Sequence, residues 1–173
     1  MLKIVNIVAS GSFNQKVDLN ALSAIGDKYS YDPEMYQGGY IQLSSAKVTV
    51  YRTGKYIFTG IKSPESLSSL WEELVSILFT HLDVSLFEPP VIKNMVAQTE
   101  LGFPLNLGKL IVQLKDENAE YEPEVFPGLM WKTEFGSANM FQNGKIMLLG
   151  CNSIEQVERL QAHVVKRLGE LSK

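Results

Sequence analysis

Two asparagines sit in matched apolar strings, Ile4-Val5-Asn6-Ile7-Val8-Ala9 and Ile92-Lys93-Asn94-Met95-Val96-Ala97. A side-chain amide donates or accepts hydrogen bonds without moving a proton, so its chemistry is recognition. Groups able to do more are few. Glu122 and Glu124 form a carboxylate pair of the kind acid–base catalysis uses, but they flank a proline in a turn signal with no nucleophile or metal ligand nearby. His81 and His163 have no second ligand at metal spacing. Cys151, the single cysteine, follows Gly150 with no matched base, which suits a semi-buried thiol better than a nucleophile. No catalytic residue, metal site or cofactor is expected.

The asparagines belong to a larger duplication. Tyr31-Asp32-Pro33-Glu34-Met35-Tyr36-Gln37-Gly38 returns as Tyr121-Glu122-Pro123-Glu124-Val125-Phe126-Pro127-Gly128. Tyr51-Arg52-Thr53-Gly54-Lys55, then Gly60 and Ser63, returns as Phe141-Gln142-Asn143-Gly144-Lys145, then Gly150 and Ser153. The offset is 88 at the asparagines and 90 afterwards, so one copy gained two residues in between. A unit this long is a half-domain rather than a solenoid repeat, and two copies predict one body with a pseudo-two-fold axis. The boundaries expected are 1–88 and 89–173.

The elements that must position these residues read alike in both halves. A strand opens each, from Ile4 to Ala9 and from Ile92 to Ala97, with Asn6 and Val8 sharing a face. A first helix is expected over roughly 18–28, capped by Asp18, and again over roughly 106–116. After the Tyr-acid-Pro-Glu turn come short antiparallel strands, roughly 39–43, 46–51 and 55–60, then 128–133, 137–141 and 145–150. Thr53-Gly54 and Asn143-Gly144 are hairpin signals between the last two. Ser63-Pro64-Glu65 reads as the start of a long helix and Ser153-Ile154-Glu155-Gln156 as a capping box. Leu67, Leu70, Trp71, Leu74 and Leu78 form one apolar stripe; Val157, Leu160, Val164 and Leu168 form the other. The fold class expected is α+β: a pseudo-two-fold saddle of two repeats, each a curved antiparallel five-stranded sheet with two helices on its convex face.

Bulk properties fit a single folded body. The chain has 173 residues, 45% of them hydrophobic and 20% charged, with no apolar run near the ~20 residues of a membrane span. Met1-Leu2-Lys3 runs straight into a repeat element, so no signal peptide is expected and the location expected is intracellular. A net charge of −3 argues against coating nucleic acid by bulk attraction, so any such binding needs a local basic face.

These landmarks, in the same order in both repeats, resemble the core of the TATA-box-binding protein family over nearly the whole chain. The Asn-x-Val strand, the Tyr-acid-Pro-Glu turn with an aromatic two residues on, and aromatic-x-x-Gly-Lys carry the likeness. The resemblance implies a saddle whose underside binds the minor groove of A·T-rich double-stranded DNA. Kinking by wedged apolar side chains is the family's own documented behaviour, carried over rather than derived. The residues it assigns to DNA are Asn6, Val8, Tyr36, Tyr51, Lys55, Ile57, Thr59 and Lys62, then Asn94, Val96, Phe126, Lys132, Phe141, Lys145, Met147 and Leu149. The acidic turn of Glu122, Glu124 and Val125 would contact transcription factor B, and through it the RNA polymerase machinery. A homodimer of the free protein is also compatible; a membrane partner is not.

The chemistry of these positions can be argued separately. Minor-groove A·T edges offer only acceptors, so a reader needs donors on a dry floor. One asparagine alone would read as the cap of a bulge or edge; two symmetric ones favour recognition. Tyr36 and Tyr51 depart from an apolar wedge, because an inserted phenol strands its hydroxyl at about 1–3 kcal/mol. Replacing both with Phe is therefore expected to tighten binding. From residue 36 to 62 lie Lys47, Arg52, Lys55 and Lys62 with no acid, whereas the second half offers Lys132 and Lys145 beside Glu134.

Other positions point away from tight DNA binding. Gln42 and Asn152 stand where the family's pattern has basic residues, and Leu149 cannot donate as Thr59 can. Thr49 and Asn139 make the floor more polar. The stretch from Ser63 to Glu88 carries Glu65, Glu72, Glu73, Asp83 and Glu88 without a lysine or arginine. The alternative reading is a protein-interaction or regulatory module of the same fold with weak DNA binding.

Overall fold

A computed structural model describes residues 1–171. The elements run β1 (Lys3–Ser12), a 3-10 turn (Ala21–Ile25), β2 (Tyr29–Ser30), β3 (Gly38–Gln42), β4 (Lys47–Tyr51), β5 (Lys55–Ile61) and α1 (Ser66–Leu78). A second 3-10 turn (Val84–Leu86) leads to β6 (Val91–Glu100), α2 (Leu107–Gln113), β7 (Ala119–Glu120), β8 (Leu129–Thr133), β9 (Gly136–Met140), β10 (Lys145–Cys151) and α3 (Ile154–Leu171). Contacts divide the chain into two compact units, Asn6–Lys93 and Met1–Val5 with the chain from Asn94 onward.

In the first unit the strand order is β2-β3-β4-β5-β1, every neighbour antiparallel. Alternation sends Ile41, Val48, Val50, Phe58, Ile7 and Ala9 to one face, all fully buried. Leu70, Leu74 and Leu78 of α1 are buried with them, at the three- and four-residue spacing of a helix stripe. Tyr56 closes the end of this core: its ring stacks on Phe13 at 4.6 Å and Trp71 at 5.6 Å, and its hydroxyl donates to the Glu88 carbonyl.

The second unit repeats the plan as β6-β10-β9-β8-β7. Met95, Ala97, Trp131, Ala138, Ile146 and Leu148 are buried with Val157, Leu160, Val164 and Leu168 of α3. The capping box at Ser153 forms with a one-residue offset. Gln156 N–H donates to Ser153 Oγ at 3.3 Å, and Gln156 Oε1 accepts from Asn152 N–H, one residue before the serine, at 3.0 Å.

Three sequence expectations change. The first helix expected over 18–28 is only the 3-10 turn Ala21–Ile25. Asp18 does act there, its Oδ1 accepting from the N–H of Asn20 at 2.9 Å and of Ala21 at 3.4 Å, but the chain is a strand again by Tyr29. The first unit thus has one α-helix, not two; in the second, Asn106 caps α2 by accepting from Lys109 N–H at 2.9 Å. The long helix begins at Ser66 because Ser63 and Pro64 spend their carbonyls on a turn, receiving Ser66 and Leu67 N–H. It ends at Leu78, so Asp83 and Glu88 lie outside it; Asp83 instead caps the Val84–Leu86 turn.

The acidic face of α1 shrinks further at Glu73. Its carboxylate accepts from Ser44 Oγ at 2.7 Å and from Ser44 N–H, and faces Lys28 Nζ at 3.7 Å, pinning the β3–β4 turn to the helix. Burial pushes its pKa up, but the Ser44 hydrogen bonds and Lys28 outweigh that and leave it below the usual value. A depressed carboxylate stabilises the fold above its unfolded pKa and loses that contribution as pH falls through the folded value. The melting-temperature gap between wild type and Glu73→Ala should therefore be widest near neutrality and close on acidification below about pH 4, as thermal melts across pH 3–7 would show.

Candidate nucleic-acid interface

In each unit one sheet face packs on the helices, and the other carries no helix of its own unit. Alternation assigns Asn6, Val8, Ile57 and Thr59 to that open face in the first unit, and Asn94, Val96, Met147 and Leu149 in the second; all eight are half-buried. Register lines Tyr40, Thr49, Ile57 and Ser10 across the first open face, and Met130, Asn139, Met147 and Gln98 across the second.

The two asparagines do identical work. Asn6 Oδ1 accepts from Gly60 N–H at 2.8 Å, and Asn94 Oδ1 accepts from Gly150 N–H at 3.2 Å. Both glycines lie where the ladder slips: β1–β5 shifts register between Ile7 and Ala9, and β10–β6 between Leu148 and Cys151. A bulge leaves a backbone group unpaired, and here the asparagine oxygen takes it up. The asparagines therefore act as caps of the two bulges. With the oxygen committed to a backbone donor, the remaining Nδ2 is fixed as a donor, and it meets no partner among the described residues.

The aromatic pairs flank these strands at their hairpin ends. Phe126 and Phe141 meet edge to face, centroids 5.8 Å apart at 66°. Tyr36 and Tyr51 adopt the same arrangement at 6.3 Å and 61°. A glycine lies under each pair. A Cβ at Gly128 would stand 2.7 Å from Phe126 and 3.0 Å from Phe141, and one at Gly38 would stand 3.1 Å from Tyr36 and 3.3 Å from Tyr51. Only glycine lets the rings approach the backbone so closely.

The tyrosine hydroxyls bond each other at 2.8 Å, so one of their two donors is already satisfied within the pair. The bond to Tyr36, with burial, pushes Tyr51 up to about 12. Beside this pair lies an open groove of about 700 Å³ lined by Tyr31, Gln37, Tyr51, Arg52 and Lys55 among others.

The cations sit at the rims. Lys55, Lys62 and Lys132 are exposed and Lys145 is half-buried. Arg52 Nη2 donates to Tyr31 Oη at 2.9 Å, and both residues line the groove. Lys47 lies 4.9 Å over the Tyr40 ring. Gln42 and Asn152 have local duties instead: Gln42 Nε2 donates to the Leu43 and Ala46 carbonyls, and Asn152 N–H serves the α3 cap. Thr59 Oγ1 donates to Lys47 O at 3.4 Å, while Leu149 pairs with Ser137 and offers only surface.

The acidic turn is a projection. The Glu122 carbonyl takes the N–H of Val125 and of Phe126, both at 2.9 Å, and this leaves Val125 80% exposed with Glu122 and Glu124 beside it. His163 lies against Trp131 and Phe135, ring centroids 5.3 and 5.1 Å away, and Cys151 is buried, its thiol pushed up by that burial. No group of three metal-ligating side chains forms among the described residues, and none of their helices is long and apolar enough to cross a membrane.

Sequence reasoning named Gly60 and Gly150 only as landmarks of the repeat. A glycine inside a strand pattern is a bulge signal, and its recurrence across from an asparagine was the available clue.

The family model described as transcription factor TFIID (or TATA-binding protein, TBP) matches residues 1–81 and 89–171. TATA-box-binding protein C of Halobacterium salinarum is 35% identical over 98% of both chains. The TATA-box-binding protein of Archaeoglobus fulgidus is 32% identical over 98% of this chain and 96% of its own. Among solved structures, Methanococcus jannaschii TBP superposes with a TM-score of 0.83 at 30% identity, covering 98% of both chains.

Proposed function

Since the chain belongs to the TATA-box-binding protein family, we propose that it is a non-enzymatic transcription initiation factor that binds A·T-rich double-stranded DNA in the minor groove. Residues 1–88 and 89–173 act as two copies of one reading unit. The observation that carries this is the pair of amides whose oxygens are committed to Gly60 and Gly150, which leaves each Nδ2 as the uncommitted donor. A·T edges in the minor groove present acceptors alone, and a fixed donor on an apolar floor matches them. Val8, Ile57 and Thr59, with Val96, Met147 and Leu149, form that floor. Phe126 with Phe141, and Tyr36 with Tyr51, press on base steps and bend the duplex. Lys55, Lys62, Lys132 and Lys145 meet phosphates.

The projecting Glu122-Pro123-Glu124-Val125 turn then serves a second partner. An 80% exposed valine following two carboxylates suits contact with a basic, apolar protein surface, here transcription factor B and the polymerase it recruits. One observation favours the alternative of an interaction module with weak DNA binding: Gln42 and Asn152, at positions expected to be basic, are engaged locally.

Gel-shift titration of an A·T-rich promoter duplex and its scrambled counterpart at two salt concentrations separates these readings. A DNA-binding factor retains a clear preference for the promoter duplex, and the Lys55→Ala and Lys145→Ala variants each lower the log–log salt slope by about one. Equal, weak binding of both duplexes would favour the interaction module.

A further inference from the structure

The aromatic pairs of the two units differ in a way the shared repeat does not require. Tyr36–Tyr51 and Phe126–Phe141 have nearly the same ring geometry over matched glycines, so the chemical difference between them is a pair of hydroxyls. Those hydroxyls hold two donors and four lone pairs between them, and their mutual bond uses one of each. One donor and three acceptor sites remain. The clasp is held in place, with Tyr36 stacked on Tyr40 at 5.6 Å and 10°, and Lys47 over the far ring. The phenylalanine pair offers neither donor nor acceptor.

In the minor groove a G·C pair differs from A·T by the guanine N2 amino group, which donates. Pressed against phenylalanine rings, that donor loses its water and gains no partner. Against the tyrosine clasp it finds an oxygen. We propose that the Tyr36–Tyr51 hydroxyl pair sets binding polarity: the first-repeat end accommodates a guanine by accepting from its minor-groove amino group, and this fixes which way round the protein lies on an asymmetric A·T-rich site. The inference rests on the minor-groove reading above.

The test uses an A·T-rich duplex with one G·C pair at one outer step, and a dye on each end in separate samples. A donor dye on an Ala162→Cys variant reports orientation by single-molecule energy transfer; Ala162 is exposed on α3, and Cys151 is buried. The expected bias places the G·C end at the first repeat at least ~5-fold more often, the scale of one unsatisfied buried donor. Replacing guanine with inosine, which lacks the amino group, should abolish the bias without touching the protein. Tyr36→Phe/Tyr51→Phe should likewise level it, and adding Phe126→Tyr/Phe141→Tyr should reverse it. An unbiased wild type, or a bias indifferent to inosine, overturns the proposal. If the duplex is bound no better than a scrambled one, the minor-groove reading itself has failed.

Discussion

The double variant Asn6→Asp/Asn94→Asp will keep its fold and lose A·T-rich DNA by about 100-fold or more. Aspartate preserves the oxygen that accepts from Gly60 and from Gly150, so both bulges stay capped. What changes is the outward atom, from an N–H donor to a charged oxygen. Each lost donor leaves a groove acceptor unpaired, at roughly 1–3 kcal/mol, so the two together cost ~30-fold at the low end. Two added negative charges among phosphates raise that further. Anisotropy titration measures the loss, and a melt within about 3 °C of wild type shows the fold intact. Asn→Ala at the same positions would blur the result, because it also orphans the glycine N–H groups. Near-wild-type affinity in the aspartate variant would place the DNA elsewhere.

Gly54→Ala should have the largest effect on stability. Gly54 has φ of 86°, and a Cβ there would lie 2.0 Å from the Gln15 carbonyl oxygen, a backbone atom that cannot rotate aside. The hairpin is also tied to that segment, with Phe13 N–H donating to Gly54 O at 2.8 Å and Val17 N–H to Arg52 O at 3.0 Å. Relief of the clash must therefore pull the β4–β5 turn off its seat. A cost of about 3–5 kcal/mol is expected, or a fall of roughly 6–20 °C in Tm for a chain of this size. Gly26→Ala separates the causes: φ is 85° there too, but nothing lies within 4 Å, so only backbone strain of ~1 kcal/mol remains. Thermal melts of the two variants side by side decide it, and equal losses would show the clash to be relieved cheaply.

The duplication made most of the fold legible, because two copies of a weak signal constrain each other. Val48, Val50 and Phe58 alternate as strand residues should, and their counterparts Ala138, Met140 and Leu148 do so again. What failed was local. Leu19, Leu22 and Ile25 have helical spacing, yet the chain leaves the helical path at Gly26, φ 85°, and only a 3-10 turn forms. Ser63-Pro64 carried every mark of a helix start, and its carbonyls went to a turn instead. The two-residue strands β2 and β7 are too short for any periodicity, and exist because β3 and β8 offer an edge to pair with.

At the site, the residue types were readable and their orientations were not. Asn6 and Asn94 were visible as a symmetric pair, but which end of each amide faces outward depends on a register slip 54 and 56 residues away in sequence. The tyrosine hydroxyls were visible as a departure, and only their 2.8 Å approach shows that each has a partner. Glu73 was counted with an acidic surface until Ser44 and Lys28 accounted for it.

An unrestrained carboxamide is ambidextrous: a half-turn about its last bond exchanges oxygen for nitrogen, and the same side chain then welcomes the opposite kind of edge. The bulge glycines remove that freedom. Held by a backbone N–H that can never accept, each amide is denied its second identity, so under the proposed reading a guanine amino group arriving at either asparagine finds another donor instead of an oxygen. Tolerance of guanine is thereby left to the tyrosine clasp, and discrimination at each asparagine rests on a main-chain irregularity that fixes which end of the side chain meets the ligand.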